Sequence, residues 1–348
     1  MNILYGVQGT GNGHIARARA MEQALANHSV AVDFLFSGRP SERYFSMEQF
    51  GAFQTRRGMT FQSHHGRVDY LKTLLNNSIS QLCNEVKQLD LSGYDLVVTD
   101  FEPVTAWAAK RQGVPCISLS HQNAFRYQVP SKGASWLDRQ VIQHFAPAQH
   151  YIGLHWYHFD QPILPPIVDI GTHAVNCEDF ILVYLPFESR EEINQLLARF
   201  TNQRFISYHP DNSEMAVLGN VEQHPLSREQ FQCHLHRCQG VIANGGFELP
   251  SEALVLGKKL LLKPLSGQFE QQSNVATLET MGLASAMSFL DASTVREWLD
   301  EPKAEPVGYP DVASAISDWL IRGDWSQFST LRDRLWEQAE FPSYTLSL

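Results

Sequence analysis

Apolar and polar positions along the chain switch between short β-rich runs and stretches of helical period, the pattern left by parallel strands joined through helical crossovers. Asn2 to Val7 and Ala31 to Phe36 read as strands, and Ile15, Ala18, Met21 and Leu25 form one stripe of a helix over His14 to Ala26. Leu71, Leu74, Leu75, Ile79, Leu82, Val86 and Leu89 recur at helical spacing and predict a longer helix over Tyr70 to Leu89. Tyr94 to Thr99 returns as a strand, Pro103 suits the first turn of a helix that Gly113-Val114-Pro115 ends, and Cys116 to Leu119 is one more buried strand. The second half repeats the alternation. Strands are expected at Phe180 to Leu185, Phe205 to Tyr208, Met215 to Leu218, Gly240 to Ala243 and Lys259 to Lys263, with helices near Glu191 to Phe200 and Glu248 to Leu256.

The fold class that follows is α/β, with two Rossmann-like domains facing across a cleft. Asp160 to Pro166 is the most proline-dense stretch and marks the hinge. We divide the chain into a domain over 1–160, a linker over 161–176, a second domain over 177–324 and a C-terminal helix in 325–348, aromatic-rich and suited to packing back on the first domain.

Composition fits this division: 348 residues, 43% hydrophobic and 18% charged, make an ordinary globular chain of two domains. Twenty-seven basic against 37 acidic residues give a net charge of −10, which argues against a nucleic-acid partner held by a broad basic surface. Five cysteines at irregular spacing, most of them in apolar runs, point to a reducing compartment. The N-terminus reads as a first strand and not a signal, and no run of about 18 apolar residues occurs to span a bilayer. A cytoplasmic protein is expected, with peripheral contact at the inner membrane face left open.

Three constellations carry candidate chemistry. Gly9-Thr10-Gly11-Asn12-Gly13-His14 is a glycine-rich turn between the first strand and the first helix, where backbone amides and a helix N-terminus can meet an anion. Its spacing is G-x-G-x-G and not the dinucleotide fingerprint; an NADP reading with Asp33 and Arg39, or a ligand-free packing turn, stays open. His14 and Asp100 form the second, because strand ends converge on one crevice and a carboxylate beside an imidazole equips it to take a proton from a hydroxyl. Capping and packing roles for the two are the alternative. The third runs from Val241 through Asn244, Gly245, Gly246, Phe247 and Glu252, then through Lys263-Pro264 to Gln268, Glu270, Gln271 and Gln272. It sets two helix N-termini at one crevice, one suited to phosphate and one bearing amides and acids suited to hydroxyls.

At these residues the chain resembles nucleotide-sugar glycosyltransferases of the GT-B fold, among them the lipid-linked muramyl-pentapeptide N-acetylglucosaminyltransferases and the UDP-glycosyltransferases. Tyr5 to His14, Phe34 to Arg39 and Arg57-Gly58 resemble more narrowly a group of uncharacterised bacterial and archaeal members. The resemblance implies His14 as general base oriented by Asp100, and Gly9, Gly11 and Gly13 beside the diphosphate and acceptor. It also implies Asn244, Gly245 and Gly246 at the donor diphosphate, Glu252 on the ribose hydroxyls and the pair Gln271-Gln272 at the donor sugar, with Phe247, Gln268 and Glu270 among the donor-binding residues. Two departures stand out: Asn244 replaces the plant-type histidine, and Gln268-Phe269 replaces an Asp-Gln pair. The implied reaction is inverting, metal-independent transfer from a nucleoside-diphosphate sugar, a UDP-sugar by resemblance, to a hydroxyl of a glycan or lipid-linked acceptor, with no cofactor and no metal. A UDP-sugar 2-epimerase and a non-catalytic sugar-nucleotide-binding protein are the alternatives, and fold alone does not choose among them.

Weaker signals remain. Cys233-His234-Leu235-His236-Arg237-Cys238, with His224 nearby, lacks a second ligand pair and reads as one amphipathic helix. His64, His65 and His144 lack ligand spacing, and His121 follows a strand and is a candidate for the acceptor cleft. Arg56 to Met59, Trp136 and Phe125-Arg126-Tyr127 mix cations with aromatics, suited to an anionic or lipid-linked acceptor or to ordinary surface roles.

Overall fold

The computed structural model describes residues 1–59 and 78–345, together with the backbone of two short strands between them. Through the first half the elements are β1 (Asn2–Gln8), α1 (Asn12–Ala26), β2 (Ala31–Ser37), β3 (Gln54–Arg56), β4 (Ser63–His64), β5 (Arg67–Val68), α2 (Ile79–Gln88), β6 (Leu96–Asp100), α3 (Pro103–Gln112), β7 (Cys116–Ser120), α4 (Trp136–His144), β8 (His150–Leu154) and β9 (Ile163–Leu164). The second half carries β10 (Ile181–Tyr184), α5 (Arg190–Leu197), β11 (Phe205–Tyr208), β12 (Ala216–Leu218), β13 (Val221–His224), α6 (Arg228–Arg237), β14 (Gly240–Asn244), α7 (Glu248–Val255), β15 (Lys259–Lys263), α8 (Phe269–Thr280), β16 (Ser285–Ala286), α9 (Ala292–Asp300), α10 (Val312–Arg322) and α11 (Phe328–Glu337).

Two seven-stranded sheets result, in the orders β3-β2-β1-β6-β7-β8-β9 and β12-β13-β11-β10-β14-β15-β16. All their pairings are parallel except β12 with β13. Central parallel strands are covered on both faces, so they must be apolar throughout. Ile3, Leu4, Tyr5 and Val7 of β1 and Leu96, Val97 and Val98 of β6 are accordingly buried, as are Ile181 to Val183 and Val241 to Ala243 in the other sheet. Each sheet reverses its strand order beside its first strand, β1 against β6 and β10 against β14, and there a crevice opens at the carboxyl ends.

Several expectations change. Of the helix expected over Tyr70 to Leu89, Ile79–Gln88 is helical and 70–77 lie outside the described residues. The stretch Met215 to Leu218 is an exposed antiparallel edge and not a crossover strand, because it hairpins onto β13, a strand whose polar Glu222-Gln223-His224 hides it from an apolar pattern. Within the expected linker 161–176, Ile163 and Leu164 pair as the last strand of the first sheet and are fully buried, so the chain crosses between sheets after Leu164.

The chain then returns. Helix α10 packs against α1, with His28 Nε2 3.5 Å from Asp318 Oδ1, and Trp336 of α11 donates its indole N–H to the Ile163 carbonyl at 2.8 Å. Between the domains, Trp156 Nε1 donates to Ser251 Oγ (2.8 Å) and the Lys132 amide to Ser273 Oγ (2.9 Å). No helix among the described residues is long and apolar enough to cross a membrane.

Candidate active site

Ser78, Glu102, Ser135, Ser189, Ser227, Asp291 and Asp311 each cap a helix with a side-chain oxygen. Helices α1 and α7 begin without one, at Gly11 and Phe247, so their first amides keep unspent N–H groups and the partial positive charge of a helix start. Both starts border one cavity of about 400 Å³ between the domains. Gly11 and Gly246 have nothing within 4 Å of where a Cβ would stand, which leaves room for a ligand to reach the backbone. At Gly245 the requirement is different: a Cβ would lie 2.8 Å from the Gln271 carbonyl oxygen, so only glycine lets the turn after β14 pass so close to α8.

His14 stands in the first turn of α1, at the edge of this cavity. Its Nδ1 lies 2.8 Å from Asp100 Oδ1 at the end of β6. A carboxylate can only accept, so Nδ1 carries the hydrogen and Nε2 keeps its lone pair. Three and a half ångströms from that Nε2 is the Gln122 amide nitrogen, which also donates to Glu270 at 3.1 and 3.2 Å. Asp100 is fully buried. Burial alone would raise its proton affinity, but the Arg17 guanidinium and His14 overcome this and hold the carboxyl below its usual range.

Arg17 and Glu248 were not among the expected site residues, yet they complete the group. Arg17 donates from Nε and Nη2 to the two Asp100 oxygens at 2.8 and 2.7 Å, and its Nη1 pairs with Glu248 of the second domain. The signal for Arg17 was its place three residues after His14, which puts both on one helix face. Burial pushes the Glu248 carboxyl up to about 8, with Arg17 opposing and Asp100, Glu252 and Glu270 reinforcing. Glu252, whose Oε2 accepts from Gln232 (2.9 Å), is pushed up to about 7 by burial. Tyr184, Tyr208 and Phe231 give one end of the cavity an aromatic wall that sequence patterning did not single out.

Of the expected donor-side residues, Gly11, Gly13, Asn244, Gly246, Phe247, Glu252, Glu270 and Gln271 border the cavity. The others are placed elsewhere. Gly245 lies behind the wall, as does the expected catalytic acid Asp100, and Gln268 caps α8 by accepting from the Gln271 amide. Gln272 turns to Gly133 of the first domain, since neighbouring helical residues point about 100° apart and Gln271 already takes the cavity side. Gln271 Oε1 accepts from the Leu265 amide (3.0 Å), and Asn244 Nδ2 donates to the Lys263 carbonyl (2.9 Å) while its buried Oδ1 has no partner. The Phe247 ring stacks on His121 at 3.8 Å and 9°. His121, a candidate for the acceptor cleft, borders the same cavity although it is nearly all buried, with Nδ1 2.8 Å from the Leu154 carbonyl and Nε2 2.7 Å from Asn274 Oδ1.

Arg39 is tied to the Gly9 carbonyl and to Asn12 Oδ1 (3.2 Å), and Asp33 accepts from Tyr94 at 2.7 Å outside the cavity, so the two do not form a 2′-phosphate and ribose pair. On α6, His234 Nδ1 meets Tyr208 Oη (2.8 Å), and just past its end Cys238 Sγ faces the Leu235 carbonyl (3.3 Å). Among the described residues no three His, Cys, Asp or Glu side chains are grouped to hold a metal ion. Trp136 is exposed, and Arg126 lies 3.6 Å over the Tyr151 ring. His64 and His65 side chains lie outside the described residues.

Residues 1–301 match glycosyl transferase family 1. Among solved structures the chain is similar to the glycotransferase of kitacinnamycin (15% identity, 97% of this chain and 95% of that one, TM-score 0.60). It is also similar to a UDP-glucosyltransferase from Polygonum tinctorium capable of glucosylating indoxyl (14%, 96% and 93%, TM-score 0.58). A third is the glycosyltransferase SnogD from Streptomyces nogalater (16%, 94% and 96%, TM-score 0.52). At these identities the likeness is one of fold, two Rossmann-like domains in the GT-B arrangement. No curated protein matches the chain.

Proposed function

The chain belongs to glycosyl transferase family 1, and from that premise we propose that it is an inverting, metal-independent transferase moving a sugar from a nucleoside diphosphate, UDP by preference, to a hydroxyl of a glycan or lipid-linked acceptor. The observation that carries the reading is the His14–Asp100 contact of 2.8 Å, which leaves the Nε2 lone pair, approached at 3.5 Å by the Gln122 amide, at a cavity walled by two uncapped helix starts. In the step proposed, the acceptor oxygen attacks the anomeric carbon and its proton passes to His14 Nε2. The bond from that carbon to the diphosphate oxygen breaks on the opposite face, and the diphosphate leaves with the electron pair. The Phe247 and Glu248 amides at the start of α7 and the α7 dipole meet the charge that grows on the leaving group, a fixed stabilisation that asks for no metal. Glu252 is proposed to accept from the ribose hydroxyls, and Glu270 and Gln271 to hold the donor sugar. No cofactor enters the reaction.

Calorimetric titration of UDP, GDP, CDP, dTDP and NADP, with and without EDTA, tests the donor site. Selective binding of one nucleoside diphosphate, unchanged by EDTA and weakened in Glu252→Ala, is expected; binding of NADP alone, or of nothing, refutes the reading. His14→Ala should keep nucleotide affinity within a few-fold and lose transfer. Transfer near the wild-type rate in that variant removes His14 as base.

A further inference from the structure

Arg17 follows His14 by one helical turn, and its side chain is 2% exposed. Its fork meets both oxygens of the Asp100 carboxylate, Nε to Oδ2 at 2.8 Å and Nη2 to Oδ1 at 2.7 Å, while His14 Nδ1 donates to the same Oδ1 at 2.8 Å. Two carboxylate oxygens therefore hold three N–H groups, and the rotamer of Asp100 is fixed from two directions. The remaining arm, Nη1, is held by Glu248 from α7. Nη2 also stands 3.0 Å from His14 Nδ1, and since both carry hydrogens the pair is a close approach of two donors and not a bond.

We propose that Arg17 is a positioning residue for the His14 base: it aims Asp100 at Nδ1, and it neutralises that carboxylate so that the ring stays ready to accept a proton. The proposal rests on the reading of His14 as base. A buried carboxylate left alone against an imidazole favours the imidazolium, which is a spent base. Around His14 stand Asp100 from β6 and Arg17 from its own helix and, beyond them, Glu248 from α7 across Arg17 and Glu270 from α8 across Gln122. Three of these four are acids, and Arg17 is the cation among them that balances the ring. Lysine keeps the charge but not the planar fork, so it separates the two parts of the role.

Ring-¹⁵N-labelled histidine in the full chain reads this without a substrate, the His14 signal being the one lost in His14→Gln. Wild type should show the Nδ1–H tautomer. In Arg17→Met the His14 titration should move to higher pH by about one unit, a tenfold gain in proton affinity. In Arg17→Lys the midpoint should stay near wild type while the tautomer becomes mixed. A folded Arg17→Met with wild-type midpoint and tautomer overturns the proposal. Should Arg17→Met fail to fold, Arg17→Lys decides alone, and a single Nδ1–H tautomer there overturns it. An Nε2–H tautomer in the wild type refutes instead the reading of His14 as base.

Discussion

Asp100→Asn is the sharpest probe of the buried charge group. The native carboxylate accepts three N–H donors and is fully buried, beside an Arg17 that is 2% exposed. Asparagine keeps one acceptor oxygen and turns an NH₂ toward a donor of either Arg17 or His14, so one N–H faces another and the guanidinium is left with Glu248 alone. Removing one member of a buried pair costs about 3–5 kcal/mol. Since Glu248 still meets Nη1, the lower end, about 3 kcal/mol, is expected. Taking out both charges in Asp100→Asn/Arg17→Met should cost much less than the sum of the single changes, with a coupling of about 2–3 kcal/mol. Urea unfolding followed by tryptophan fluorescence and circular dichroism, at constant m, gives these numbers. The pH dependence has a definite sign. Asp100 is held low in the folded chain, so its contribution is present above the unfolded carboxyl value, about 3.9, and is lost as pH falls below it. The gap between wild type and Asp100→Asn should accordingly shrink in acid. A single substitution costing under about 1 kcal/mol, or a cycle additive to within about 0.5 kcal/mol, would refute the account.

Two further outcomes follow from the site. Phe247→Ala removes a ring stacked at 3.8 Å on His121 and 4.7 Å from Trp156, and should cost about 3–5 kcal/mol and expose the interdomain segment to proteolysis; a loss below about 1 kcal/mol would mean the ring does not hold the domains together. Glu252 is raised by burial from 4.5 to about 7, so the folded chain holds a proton there that the unfolded chain has released. Its contribution to stability is complete below 4.5 and falls as pH rises through about 7; melting temperatures between those values should decline less steeply in Glu252→Gln, and equal slopes would remove the buried acid as their cause.

Much of this was legible in the sequence because the central strands are buried on both faces and must be apolar along their whole length. The pattern therefore exposed β1, β6, β10, β14 and β15, and with them the turns that carry His14, Asp100 and Gly245-Gly246. Strand β13 was hidden because both of its faces carry polar side chains with polar partners: Gln223 Nε2 donates to Asn194 Oδ1 at 2.7 Å on one, and His224 lies 2.6 Å from Glu222 on the other.

The sequence by itself determined the two α/β units, the glycine turns at their strand ends and the pairing of an imidazole with an acid. Periodicity is a local property, and a strand end is a place that periodicity marks. The tertiary structure alone decided which side chains those turns bring together. Nothing near Arg17 in the chain says that it will be clamped between Asp100, 83 residues away, and Glu248, 231 residues away in the other domain. The same holds for Gln122 against Glu270, and for Gln272, which the resemblance paired with Gln271 at the donor sugar and which the helical turn instead sends to Gly133. The Arg17–Asp100 contact depends on how the first domain folds and the others on how two finished domains dock, and no short-range pattern encodes either.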